Sequence, residues 1–521
     1  MFDIKSIRLR NLRSLKDTKE INLKPITILV GKNSVGKSTF LRTFPLLRQS
    51  CEKETRTPIL WYGNLVDYGD FSTSINRDAA KNKETNYIDF SFKLNVDSNL
   101  SYFAEVSMDR SVDIEISIQM KEYNKSSYAS KLKLKFFDRE VVIDLNSNQE
   151  FDKIAIGETE FDKEYFKEKG LSYKVEQRKF LPTLVLLKQY KIKDKRVEYI
   201  NNSKFFEEML VNKLRSLCRN NVKDETIMLL MKSIPFSSSN DIFNFLSKQE
   251  IISSVAKKIT KSGINDFVFK EIVDYYYLMV YESITLFIDN ILASTFSQVR
   301  YLEPLRATAQ RYYRRQELAI NEIDSKGSNI AMFLDSLSAS ERTNLSNLLV
   351  ENFNIELNVR RESGHLALTI KSPELKEDTN IADLGVGYSQ ILPFIIQLWD
   401  CNNRRRINRQ NNFSFFGNRT NNNFFVVEQP ELHLHPAYQA KIADVIDKVI
   451  DKNKLNLIIE THSPHLIYRF GELIEDENSN ITKDDIQVLI FEEKNGETNI
   501  SQAMFNDEGR LQNWPIGFFQ P

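Results

Sequence analysis

The sequence predicts an α/β fold: a mixed sheet with flanking helices, carrying an antiparallel β-subdomain and split by an inserted compact helical arm. Three observations carry this prediction. An apolar run, Pro25-Ile26-Thr27-Ile28-Leu29-Val30, enters a glycine-bearing loop, Gly31-Lys32-Asn33-Ser34-Val35-Gly36-Lys37-Ser38-Thr39. Two further short apolar runs, Phe424-Phe425-Val426-Val427-Glu428 and Leu457-Ile458-Ile459-Glu460, come only towards the other end of the chain. Between them lie alternating strand-like runs and then amphipathic stretches.

The loop matches G-x-x-x-x-G-K-[ST]. The β-branched, apolar residues before it read as a buried strand, and residues 38–47 read as a helix. Strand, loop and helix are the setting this motif requires. Gly31 and Gly36 let backbone N–H groups turn inward around phosphates, and the helix start adds the positive end of its dipole. Lys37 is expected to reach the β- and γ-phosphates, and Ser38 to ligate Mg²⁺. Residues 31–39 are therefore the candidate nucleotide site, with ATP and Mg²⁺ as cofactors. A coincidental glycine loop is the competing reading, and the flanking elements weigh against it.

Glu428 ends its apolar run, and an acid at the end of a neighbouring strand can hold the hydration shell of Mg²⁺. Gln429-Pro430-Glu431-Leu432-His433-Leu434-His435-Pro436 follows directly. The Gln429 carboxamide can orient water but cannot take its proton. Glu431 is the nearest carboxylate that could do so; a salt bridge or a contact across a dimer weighs equally. His462, after the last apolar strand, is placed to hydrogen-bond a γ-phosphate. Four of the five histidines, His433, His435, His462 and His465, fall in these two segments. A zinc site is the alternative, disfavoured because Cys51, Cys218 and Cys401 are scattered.

Asp383-Leu384-Gly385-Val386-Gly387-Tyr388-Ser389-Gln390 leads into the apolar stretch 391–399, where Pro393 fits a first helical turn. Ser389 would then sit near a helix start, where its hydroxyl and free N–H groups can grip an anion. In one protomer this anion site and the Gly31 loop would lie on different faces. Gly385, Gly387, Ser389 and Gln390 are thus expected to close on the γ-phosphate of a second copy, giving a homodimer glued by ATP. An amphipathic core helix preceded by a glycine loop is the plainer alternative.

Together these motifs resemble the RecF/OLD/SMC branch of ABC-type ATPases. The opening Ile4-Lys5-Ser6-Ile7-Arg8-Leu9-Arg10-Asn11-Leu12-Arg13-Ser14-Leu15 resembles that branch's first strand and turn. Tyr301-Leu302-Glu303-Pro304-Leu305-Arg306, with Arg311-Tyr312-Tyr313, resembles an arginine-bearing segment of prokaryotic members, and the stretch from Asn506 to Phe519 resembles their C-termini. The resemblance implies an ABC-type P-loop ATPase head. In most such ATPases an Asp ends the second strand and a water-polarising Glu follows it. Here Glu428 and Gln429 stand there, so slow hydrolysis is expected, with Glu428, Gln429, Glu431 and His462 as the catalytic candidates. The signature LSGGQ appears as Val386-Gly387-Tyr388-Ser389-Gln390. Gln49 is the candidate for the glutamine-bearing loop, with residues 65–71 as an occupant of that space.

Within the branch the chain looks most like the ATPase subunit of Septu-type antiphage systems, which works with a separate HNH nuclease. In some retron systems the pair is joined by a reverse transcriptase and its RNA–DNA hybrid. The resemblance implies an ATP-gated sensor and scaffold that restrains its nuclease. A RecF-like, ATP-dependent DNA-repair factor is the alternative. OLD-type nucleases carry a metal-binding domain after the head; the residues beyond His462 read as the head's last strands, so a partner chain is expected to supply the nuclease.

A chain of 521 residues suits one head plus an inserted domain. Lys+Arg and Asp+Glu are each 71, so net charge gives no nucleic-acid signal and any such surface must be a local patch. The three scattered cysteines and a charged, strand-like N-terminus imply a cytoplasmic protein. The apolar run at 391–399 falls short of the ~20 residues that span a bilayer, so no membrane partner is expected.

Boundaries are expected at 1–155 for the N-terminal lobe with its β-subdomain, 156–297 for the helical insertion and 298–521 for the C-terminal lobe. Alternation from about 86 to 146, including 102–106, reads as antiparallel strands. From about 160 to 295, helical patterning prevails, clearest at 205–217 and 272–292, without long heptads. A hairpin is expected at 355–370. Arg404, Arg405, Arg406, Arg409 and Arg419 stand among asparagines with Phe413, Phe415 and Phe416. That segment suits a nucleic-acid backbone or a partner, although a solvated loop is the more ordinary reading. Arg306 and Arg311 either face phosphate or pair with acids.

Overall fold

The apolar runs around the phosphate motif form strands Ile26–Gly31, Asn423–Glu428 and Leu455–Glu460. They are the centre of a seven-stranded sheet in this computed structural model. The structure describes residues 2–96, 111–177, 179–191, 197–202, 204–318, 320–373, 375, 377–403, 423–452 and 455–515. The strand order is Arg300–Leu302, Asn423–Glu428, Leu455–Glu460, Ile26–Gly31, Ile486–Lys494, Glu497–Phe505, Leu511–Gln512. The first five pair in parallel and the last two return antiparallel.

The central strands are mostly apolar because both faces are covered. Successive side chains point to opposite faces. Phe424 meets Phe44 of helix Lys37–Glu52, with ring centroids 5.1 Å apart. Its neighbour Phe425 stacks on Phe394 of helix Val386–Asn403 at 5.7 Å. Helices Pro436–Val449 and Pro464–Glu475 add Ile442, Ile446, Leu466 and Phe470 to the core on the Phe425 side.

The chain divides into two compact units. One gathers Leu23–Pro45, Gln298–Asn412 and Asn421–Pro521, and holds this sheet. It also holds the expected hairpin, Glu356–Glu362 with His365–Lys371, in register Glu362↔His365. Ser363 (φ 44°) and Gly364 (φ 82°) form its two-residue turn, where both positions need positive φ to match the strand twist. Pro393 departs from expectation. The helix starts at Val386, so the glycine segment is its own first turn and Pro393 lies in the interior.

The other unit includes Met1–Asn22 and Leu46–Ser297. The alternating runs build a nine-stranded antiparallel sheet in which Phe2–Leu12 pairs with Ile88–Val96, followed outward by Val112–Tyr123, Ser126–Phe136 and Arg139–Leu145. The strand-like stretch 102–106 lies outside the described residues. Helices Phe205–Leu217 and Phe267–Ser297 occupy the expected helical stretches. The insertion is not purely helical, however. Leu171–Gln177, Pro182–Lys191 and Val197–Asn201 form a three-stranded sheet. The continuous run Leu184-Val185-Leu186-Leu187 has no period by which strand and helix differ, and this hid it. Among the described residues, no helix is long and apolar enough to cross a membrane.

Gln49 is also reassigned. Its amide donates to Leu60 O (2.7 Å) and Val66 O (3.2 Å) and accepts from the N–H groups of Leu65 (3.3 Å) and Val66 (3.1 Å). These four bonds use its whole capacity, so Gln49 braces the 60–66 loop and has nothing left for a ligand.

Truncating Phe425 removes a fully buried ring stacked on Phe394. Phe425→Ala is expected to cost about 3–5 kcal/mol, read as a fall in the urea midpoint; a loss under about 1 kcal/mol would contradict the packing described.

Candidate functional site

The phosphate loop takes its shape from three residues with positive φ: Gly31 (150°), Ser34 (66°) and Gly36 (100°). A Cβ on Gly31 would lie 2.3 Å from the carbonyl oxygen of Phe491, its neighbour in the next strand, so only glycine fits. Thr498 Oγ1 donates to Val35 O (3.0 Å) and pins the far side of the loop. Lys32, Asn33 and Ser34 form the exposed crest, and Thr39 lies in the first turn of the helix that begins at Lys37.

The Lys37 side chain is only 3 % exposed. Its ammonium donates to the carbonyls of Gly31 (2.9 Å) and Lys32 (2.6 Å), with Glu460 Oε1 at 3.8 Å. Burial lowers its pKa, and the Glu460 charge opposes that shift. A buried ammonium resting on neutral carbonyls, a hydroxyl at a helix start and a loop wound by positive φ fit a triphosphate and its Mg²⁺.

The parallel register sets Glu428 opposite Glu460, and Glu460 opposite Leu29 beside the loop. It is Glu460 that Ser38 meets: Ser38 Oγ donates to Oε2 at 2.8 Å. Glu428 is engaged otherwise. Arg42, one turn beyond Ser38, forks onto both of its oxygens (2.7 and 2.8 Å), and Tyr301 OH donates to Oε1 (2.6 Å). Burial raises the Glu460 pKa, the neighbouring Glu428 charge adds to this, and Ser38, Lys37 and Arg42 oppose it. Sequence reasoning gave Glu460 no role. Its one visible signal was an acid ending a second apolar strand.

Gln429 turns the chain with φ of 44°, and its N–H donates to Glu460 O (2.8 Å). Glu431, 7 % exposed, accepts from the His462 N–H at 2.8 Å through Oε1. Its Oε2 is buried without a hydrogen-bond partner. Glu431 thus fastens the backbone of the segment bearing His462. The His462 side chain reaches solvent but is partly desolvated, and this, with the Lys37 charge, lowers its pKa.

Arg306 is 5 % exposed and donates to the Glu428 carbonyl (3.2 Å), while its Nε and Nη1 have no hydrogen-bond partner. Burial lowers its pKa to about 10 despite Glu431 and Glu428. Gln390 holds the Arg306 backbone, accepting from its N–H (3.4 Å) and donating to its carbonyl (3.3 Å). Arg311 pairs with Asp383.

Among the expected signature residues, Ser389 and Gln390 are buried and bonded within the chain, Ser389 Oγ donating to Val386 O at 2.7 Å. Gly385 is exposed, with nothing within 4 Å of a Cβ there. Gly387 lies against Leu434 and the His433 carbonyl. His435 caps helix Pro436–Val449 by accepting from the Ala437 N–H (3.3 Å). Among the described residues there is no group of three or more His, Cys, Asp or Glu side chains that could hold a metal ion. Arg404, Arg405, Arg406, Arg409 and Arg419 lie outside the described residues.

The two buried carboxyls fix a pH dependence. With pKa values raised in the fold, Glu431 and Glu460 bind more protons in the native chain than in the unfolded one above the ordinary Glu value. Their contribution to stability is fully present below that value and is lost as pH rises through the folded-state pKa. Glu431→Gln keeps an acceptor for the His462 N–H and removes one such group. Urea unfolding across pH is expected to show a shallower decline for this variant; an unchanged or steeper decline would contradict the burial described.

A family model described as an AAA ATPase domain matches residues 2–467. No curated protein matches the chain. Among solved structures, the chain is similar to the Smc head domain with an extended coiled coil bound to the C-terminal domain of ScpA from Pyrococcus furiosus. That similarity has 10 % identity, covers 96 % of each chain and has a TM-score of 0.36. The SMC head domain from Thermotoga maritima is similar at 8 % identity, over 96 % of this chain and 98 % of that one, with a TM-score of 0.33. The family match spans most of the chain, phosphate loop and both acid-ended strands included, and the chain belongs to the AAA ATPase domain family.

Proposed function

We propose that this protein binds ATP with Mg²⁺ in the 31–39 loop, hydrolyses it slowly, and uses it to join two copies of its head. The observation that carries this reading is the buried Lys37 ammonium, held on the Gly31 and Lys32 carbonyls at the end of a central strand. Phosphate oxygens offer it charged acceptors in place of neutral ones. Mg²⁺, when bound with the nucleotide, neutralises charge on the β- and γ-phosphates. Ser38 and a strand-end carboxylate would hold it. His462, held through its backbone by Glu431, donates a ring N–H to the γ-phosphate.

Slow turnover follows from Gln429, whose amide can position water without accepting its proton. The dimer reading is supported by the exposed glycine at the start of helix Val386–Asn403, open to a second copy's phosphates. On the resemblance of the motifs, the biological setting is bacterial antiphage defence in the cytoplasm. The ATP-joined heads restrain a separate HNH nuclease there, with a reverse transcriptase and RNA–DNA hybrid in retron-linked assemblies. Native mass spectrometry of the tagged chain, purified from its own host with ATP and Mg²⁺, tests this setting. A co-purifying nuclease supports it. A bare dimer that binds DNA only with ATP contradicts it and favours the RecF-like repair reading.

Lys37→Ala is expected to weaken ATP binding at least about 10-fold by calorimetry; unchanged affinity would place the nucleotide elsewhere. Gln429→Glu is expected to raise phosphate release by up to about 100-fold, and unchanged turnover would show that the missing base is not what limits it.

A further inference from the structure

We propose that Glu460, rather than Glu428, is the carboxylate that serves the cation entering with the nucleotide, and that Arg42 and Tyr301 keep Glu428 as an internally neutralised acid. The inference rests on the ATP-binding reading above and assigns the cation side of that same site.

Contact argues first. Ser38 is the hydroxyl that this loop type presents to Mg²⁺. The carboxylate already touching it is Glu460, with Ser38 Oγ and Glu460 Oε2 2.8 Å apart. The hydroxyl now donates its hydrogen to that oxygen. Turning the hydrogen aside leaves both oxygens able to face one cation, directly or through water, with no proton lost and no bond broken.

Competition for Glu428 argues second. Both of its oxygens are held by the Arg42 fork, and one also accepts from Tyr301. Arg306 occupies its backbone carbonyl. The Glu428 side chain is itself buried, although Arg42 is partly exposed, and withdrawing the fork would leave that carboxylate without its charged partner. Glu428 therefore has a poorly available carboxylate, whatever its position in the sequence motif implies.

The fate of Glu460 argues third. Its nearest cation is Lys37, whose ammonium lies 3.8 Å away and also rests on two carbonyls. When Lys37 turns to the phosphates, Glu460 is left as a buried carboxylate whose remaining donor is a hydroxyl. A divalent cation restores the balance, which couples cation entry to nucleotide entry. The Arg42 fork has a purpose in the same scheme. Glu428 and Glu460 are register neighbours, and neutralising one lets the other remain ionised beside it.

The test compares the isosteric variants Glu460→Gln and Glu428→Gln in the full chain. A fluorescent ATP analogue is titrated in Mg²⁺ and in EDTA, and Mn²⁺ binding in the presence of a non-hydrolysable analogue is followed by electron paramagnetic resonance. Wild type is expected to bind nucleotide about 10-fold or more tighter with Mg²⁺ than without. Glu428→Gln should keep that gain and the bound Mn²⁺. Glu460→Gln should still bind nucleotide in EDTA but lose both, because the substituted amide can still accept from Ser38 but carries no charge. If that variant does not fold, Glu460→Asp, which withdraws the carboxylate by one methylene, is expected to weaken the gain in the same direction. The inference is overturned if Glu428→Gln loses the gain while Glu460→Gln keeps it. It is equally overturned if Glu460→Gln keeps the gain and loses only turnover, which would make Glu460 the missing base. A wild-type chain that binds no nucleotide in either buffer defeats the ATP reading itself, a separate outcome.

Discussion

The parallel register of three strands is the constraint on which the site depends. Asn423–Glu428 pairs with Leu455–Glu460 so that Glu428 and Glu460 are opposite, and Leu455–Glu460 pairs with Ile26–Gly31 so that Glu460 reaches Leu29. A shift of one residue would turn each acid to the other face of the sheet. The register is protected by packing. Phe424 and Phe425 commit to different faces, one against Phe44 and one against Phe394, and cannot exchange without opening both layers. The hydrophobic core thereby decides that Glu460 meets the phosphate loop with Glu428 beside it.

Placing acids side by side in buried positions at strand ends is costly unless each charge is answered. Arg42 and Tyr301 answer Glu428, Ser38 and Lys37 answer Glu460, and the His462 backbone answers one oxygen of Glu431. The remaining imbalance sits on Arg306 and on Glu431 Oε2, buried polar atoms without hydrogen-bond partners. Arg306 also ties the Glu428 carbonyl to Gln390 near the start of helix Val386–Asn403. Arg306 thus links helix Val386–Asn403 to strand Asn423–Glu428 within one chain, through its backbone to Gln390 and its guanidinium to the Glu428 carbonyl, beside the Phe394–Phe425 stack.

What was legible in the sequence was local. The glycine loop, the strand before it and the helix after it, the 355–370 hairpin and helices such as Phe205–Leu217 each carry their pattern within a short window. What was hidden depends on non-local pairing. Glu460 acquires its contact with Ser38 only because its strand inserts between those of Gly31 and Glu428, an order no window reveals. Gln49 looks like a free polar residue until the 60–66 loop folds back to take all four of its hydrogen bonds. The sheet of Leu171–Gln177, Pro182–Lys191 and Val197–Asn201 contains apolar runs without a period, and Pro393 lies in a helix interior because the glycine segment before it is the helix's first turn rather than a loop.

The most direct test of this account is a crystal structure with a non-hydrolysable ATP analogue and Mn²⁺, the metal located by its anomalous signal. Phosphates are expected inside the 31–39 loop, with Lys37 moved from the Gly31 and Lys32 carbonyls onto them, and Mn²⁺ bounded by Ser38 and the Glu460 side of the strand ends with the Arg42–Glu428 fork intact. A nucleotide bound elsewhere, or a metal seated on Glu428 with Arg42 displaced, would contradict it.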